Sequence, residues 1–229
     1  MKYNYVYLDK FHDFTNEDFS NILFDNEDLN YKSFHKSNFN KCSFYGLQID
    51  GTVFKEACFN KCILNSVNFT SCNFSKAKFI DCEFEKCVIS GNFTEAEFES
   101  CKFVECSISG NFNDVLFTNT EISNAGFYGS YIRAKFHQVN INNSTFNKVD
   151  LYDCFFNKCL MIDLNFDGSN FDKVEIYESK LTNVDFKWCA NWIYAKIKNS
   201  NQSGVNFPET GIFKNTEDDF WKYKYKLGL

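Results

Sequence analysis

The side chains of this sequence best equipped for chemistry are its eleven cysteines, because thiolates bind metals and pair as disulfides. Their spacing argues for another role. Cys42, Cys62, Cys72, Cys82, Cys87, Cys101, Cys106, Cys154 and Cys159 each stand two residues before a large apolar side chain. The recurring C-x4-C differs from the C-x2-C of zinc knuckles, and a structural zinc needs ligands gathered around a tetrahedron. Small, apolar, inward positions suit buried free cysteine, and the pattern predicts that role. His12, His35 and His137 lack an HxxxH or HExxH neighbour, and no phosphate loop or GxGxxG occurs. Glu83 and Glu105 could be paired as acid and base, but catalysis also needs a pocket. The reading is a chain without metal, cofactor or catalytic residues.

What must position the cysteines is a period of five. In Asn68–Phe84, NFTSCNFSKAKFIDCEF, the centres Phe69, Phe74, Phe79 and Phe84 are evenly spaced, each preceded two residues earlier by Val67, Cys72, Ala77 or Cys82. Neither a helix near 3.6 nor a strand at 2.0 fits. Within a unit, residues two apart share a side, as in a short strand. The remaining two must turn the chain. Such a coil buries its large residues only by stacking on further coils. Written in rows of twenty, the sequence sets Cys42, Cys62, Cys82 and Cys101 in one column and Ala57, Ala77 and Ala96 in the next. Cys87 stands over Cys106. Like sits on like, which selects four sides per coil.

These residue types at this spacing resemble the pentapeptide-repeat family, over about residues 12 to 188. The resemblance implies an all-β, right-handed quadrilateral β-helix of about nine coils, roughly 43 Å long at ~4.8 Å per coil. Twenty-nine Phe and a single Pro accord with it.

Taken in order, residues 1–213 read as the β-helix, regular from 14 to 186 and degenerate from 187 to 213. The first coil carries His12, Glu17, Ile22 and Glu27 before its centres, which predicts a loosely packed, partly wet end. Steps of four fall at Ile89–Phe93, Ile108–Phe112 and Ile132–Phe136. Gly91 and Gly110 share a column there and supply the permissive dihedrals of a shortened corner. Past Phe186 the register resumes at Trp192, Ile197 and Phe207 and reaches about Ile212. Residues 214–229 read as a short C-terminal α-helix: Thr216 caps it, acids fill its first turn and lysines its last. Its Phe220, Trp221, Tyr223, Tyr225 and Leu227 form a wide apolar stripe, expected to join two chains as a homodimer.

Function is then a matter of surface. The chain has 24 Lys and Arg against 30 Asp and Glu, a net charge of −6. On the side carrying Phe24, Phe44 and Phe84 acids outnumber lysines, which disfavours nucleic-acid binding. No stretch approaches the ~18 apolar residues of a membrane span, so a cytoplasmic protein is expected. Outward apolar residues that the repeat does not require, Tyr45, Ile63 and Val104 with Leu160 and Ile162, share that same side. The densest acids, Glu83, Glu85, Glu97, Glu99 and Glu105, lie on the two sides meeting near Phe98 and Phe103. Several bacterial stand-alone members of the family bind type II DNA topoisomerases, gyrase or topoisomerase IV, as DNA-shaped mimics, and shield them from quinolones or peptide toxins. The resemblance implies that partner here. Duplex DNA of this length carries roughly 25 negative charges at one per ~1.7 Å, so mimicry would rest on shape and local patches. The competing expectation is an interaction scaffold with an unrelated partner.

Overall fold

The protein is described here from a computed structural model, for residues 10–208. The period of five becomes four sides. The centres of the first coil, Phe14, Phe19, Phe24 and Leu29, define a first, second, third and fourth side, and all four are buried. The second side is a ten-stranded parallel sheet running from Asp18–Ser20 to Lys196–Lys198. The third and fourth sides merge into one fifteen-stranded sheet, because Asn140–Thr145 continues around their shared corner and pairs with strands of both. The first side is held by single bridges such as Ser33↔Val53 and Val53↔Asn73. There the residue before the centre is often Asn or Asp, whose side chain folds back: Asn92 Oδ1 accepts from the Thr94 N–H at 3.1 Å. That local bond makes a tighter turn, closed by the Ala96 N–H on the Phe93 carbonyl at 2.9 Å.

Elsewhere each corner is one residue in the left-handed region. Lys61, Asp81 and Ser100 have φ of 54°, 53° and 53°. An L-residue resists this by roughly 1–2 kcal/mol. The compensation lies in the next coil: the Lys61 N–H donates to the Ile80 carbonyl at 2.8 Å, and Asp81 to Glu99 at 2.9 Å. The corner thus turns without orphaning its amide.

Inside, like does sit on like. On the second side the rings of Phe59, Phe79, Phe98 and Phe117 stack at 4.7, 4.8 and 4.9 Å between centroids, within 10° of parallel. Between sides the rings meet edge to face, as Phe79 does Phe84 at 5.5 Å and 62°. Both are favourable quadrupole geometries. The nine cysteines assigned inward are buried. Each thiol donates to the carbonyl of a centre one coil back, Cys82 to Phe59 at 3.3 Å and Cys87 to Leu64 at 3.2 Å. Burial raises the Cys72 thiol to about 11 and Cys159 to about 12.

Two expectations are corrected. First, the fold is an all-β solenoid: no α-helix occurs among the described residues, and Trp192–Tyr194 is a single 3-10 turn. The helix expected at 214–229, with Phe220, Trp221, Tyr223, Tyr225 and Leu227, lies outside the described residues, as does Ile212. Second, the third shortened corner is Phe127–Tyr131. Tyr131 is fully buried and Ile132 faces outward. Gly129 therefore continues the column of Gly91 and Gly110. Of the residues before the first coil's centres, His12 is exposed, Glu17 and Ile22 are half-buried, and Glu27 alone is buried, at 8% exposure. The Glu27 carboxylate accepts the Asp25 N–H at 2.9 Å, a local cap within a partly wet end. Past Phe186 the coil continues in irregular form: Trp192 and Ile197 are buried, whereas Gln202 and Phe207 are exposed. Trp192 packs on Phe186 at 4.9 Å, Ile197 pairs with Ile176, and Asn206 with Asp185.

Candidate surface site

The third side holds the predicted apolar residues in two lines, one before each centre and one after. In the first line Ser43, Ile63, Glu83, Lys102 and Glu121 lie on successive strands. In the second, Tyr45, Asn65, Glu85, Val104 and Ser123 do. Leu160 and Ile162 lie farther along the same two lines. Leu23 was not anticipated. It precedes Phe24, pairs with Ser43, and is 42% exposed, beside Tyr45 at 40% and Ile63 at 39%. The signal was available, because the residue before any centre must face outward.

The acids are not one group. Glu83 and Glu85 flank Phe84 on the third side, whereas Glu97 and Glu99 flank Phe98 on the second. Glu105 sits at the corner between third and fourth sides, with φ of 55°. Glu97 is ion-paired with Lys78 at 2.9 Å, and the hydrogen bond to Glu97 raises the lysine above its usual range. Glu85 meets Lys86 at 3.3 Å and accepts from Asn65 Nδ2 at 2.8 Å. Glu83 lies opposite Lys102 in the ladder, and Glu105 is three residues beyond Lys102, around the corner. The acid–base pair considered above is therefore not assembled.

Among the described residues no group of three or more His, Cys, Asp or Glu is arranged to hold a metal ion. No helix among them is long and apolar enough to cross a membrane. His12, Asn26, Asp28, Asn30, Tyr31 and Lys32 line an open concavity at the first coil.

The geometry defines a four-sided parallel β-solenoid with polar sides and a phenylalanine interior. The family of pentapeptide repeats matches in eight copies, over residues 53–91 and 150–187. Those two segments carry pentapeptide repeats. No curated protein matches it. Among solved structures, it is similar to HetL, a pentapeptide-repeat protein involved in heterocyst differentiation regulation from the cyanobacterium Nostoc sp. strain PCC 7120. That likeness has 10% identity over 87% of this chain and 86% of that one, with a TM-score of 0.40. It is similar to full-length QnrB1, a plasmid-mediated fluoroquinolone resistance protein, at 14% identity over 93% and 100%, with a TM-score of 0.32. The A-module of the Azotobacter vinelandii mannuronan C-5 epimerase AlgE4 gives 8% identity, 86% and 77% coverage, and 0.43.

Proposed function

We propose that the chain is a non-enzymatic binding rod whose third side docks a protein, and that this protein is a type II DNA topoisomerase. One observation carries the docking reading: Leu23, Tyr45 and Ile63, each about two-fifths exposed, stand together, and Glu83 and Glu85 continue the same two lines. An apolar centre with an acidic margin suits a partner surface that is basic at its rim. The topoisomerase is inferred from the family resemblance. Its DNA-binding saddle is positively charged and accepts a rod of duplex diameter, so the carboxylates would stand where phosphates otherwise lie. The second reading is a scaffold for an unrelated protein, favoured by the ion pairing that Glu97 and Glu85 already make within the chain.

A gyrase supercoiling assay with and without a quinolone separates the two. Added protein should inhibit supercoiling or shield the enzyme from the drug, and linear DNA should compete. If neither effect appears at micromolar protein, the topoisomerase reading fails and the scaffold reading takes its place.

A further inference from the structure

The second side is the most regular surface of the rod, and its charges are arranged to meet their own copy. Glu97, Leu116 and Lys135 lie on three successive strands in the line before the centres; Glu99, Thr118 and His137 do so in the line after them. Glu99 and Lys135 make no ion pair within the chain among the described residues. Asn157 and Nδ1 of His137 share a hydrogen bond at 3.1 Å, which holds the imidazole on this side.

We propose that this side is the interface between two antiparallel copies of the chain. Turning a second copy over about an axis along the Leu116–Thr118 strand sets Glu97 over Lys135 and Glu99 over His137, each twice. Leu116 then meets Leu116 on the axis, and Lys78 meets the half-buried ring of Phe155. The register is selective. Sliding one coil one way opposes Lys78 to Lys135; sliding the other way seats Glu97 on Phe155 and Lys135 on Leu116. Sliding two coils opposes Glu97 to itself or Lys135 to itself. Parallel rods would oppose Glu97 to Glu99. With the axis on the sixth of the ten strands, nine overlap, and at ~4.8 Å by three residues of ~3.3 Å they cover about 430 Å² per copy. The two copies together bury about 860 Å², in the range of weak, transient interfaces, so the pairing should be no tighter than micromolar. It involves the second side alone and does not depend on what docks on the third.

The test is sedimentation equilibrium of the full chain over about 1 to 100 micromolar, a range that brackets micromolar affinity. The wild type should dimerise. Glu97→Lys with Glu99→Lys should lower the affinity at least tenfold, as should Lys135→Glu with His137→Glu. Mixing these two monomeric variants should restore a dimer, because each copy then carries the charges the other needs. That recovery also shows that both variants fold. In a Cys58→Ser, Cys189→Ser background, a short bis-maleimide should join Leu116→Cys to itself, while Val88→Cys on the fourth side stays uncrosslinked. A wild type monomeric throughout, or a dimer indifferent to both reversals, overturns the proposal.

Discussion

Tyr131 lies on Phe112 with ring centroids 4.9 Å apart and planes 10° from parallel, and its hydroxyl donates to the Ile108 carbonyl at 3.2 Å. This contact makes Tyr131, and not Ile132, the inward centre of its side. A buried tyrosine is stable when its hydroxyl finds a partner, and the carbonyl one coil down supplies it. Tyr131→Phe should cost about 1 kcal/mol, the loss of one hydrogen bond. Tyr131→Ala should cost about 3–5 kcal/mol through the cavity it leaves. Ile132→Ala, on the outside, should stay within about 0.5 kcal/mol. Urea melts of the three variants check the order, and a costlier Ile132→Ala would return the centre to Ile132.

The same corner explains the glycine column. Gly110 has φ of +118°, and a Cβ there would lie far inside contact distance of the Gly91 carbonyl oxygen. Gly91 and Gly129 stand in the same relation to Cys72 and Gly110. Gly46 also has positive φ, +64°, but nothing lies within 4 Å of its added Cβ. Gly46→Ala should therefore cost about 1 kcal/mol, the left-handed penalty alone. Gly110→Ala adds displacement of a buried backbone to that strain and should exceed about 3 kcal/mol. Similar costs for the two in denaturant melts would remove the steric account.

How much of this was legible follows from what is local. A five-residue unit repeats its own instructions, so the inward cysteines, the four columns and the membership of the third side could be read from spacing alone. The spacing points to Ile132 in place of Tyr131 as the centre because a hydroxyl on an aromatic ring suggests water, and Ile132 is the more apolar side chain. The deciding mark was present: Gly91, Gly110 and Gly129 each precede the next centre by two residues. The ion pairing of the acids was less accessible. Which charge pairs with which depends on the pleat of neighbouring coils, and Lys78 reaches Glu97 only across a coil that is one residue short.

Thiol chemistry should follow burial. Cys58 and Cys189 are the half-buried cysteines, and the other nine are buried. Native protein at mildly alkaline pH should expose at most those two to a thiol reagent, and denatured protein all eleven. Burial raises Cys72 from 9.0 to about 11 in the folded chain. Above pH 9 the unfolded thiol therefore loses its proton while the folded one keeps it. The stabilising contribution is full below pH 9 and is lost as pH climbs through 11. Melts from pH 8 to 11 should show stability falling, and Cys72→Ala should flatten that slope. An unchanged slope would place the pH dependence elsewhere.

The two acidic groups should separate by function. Glu83→Gln, Glu85→Gln and Glu105→Gln together alter the third side and its corner without touching Glu97, Glu99 or Lys135. Exposed ion pairs contribute about 0–1 kcal/mol, so the triple variant should melt within about 1 kcal/mol of wild type. It should also sediment as wild type does, since the second side is intact. Its effect on gyrase should weaken several-fold. Wild-type binding should fall as salt rises, because screening shortens to ~8 Å near 0.15 M. The triple variant, with three fewer charges, should show a shallower salt dependence. Binding titrations of both proteins against salt measure this directly. Equal slopes would mean that these carboxylates do not face the enzyme, and full activity of the triple variant would remove the third side as the docking surface.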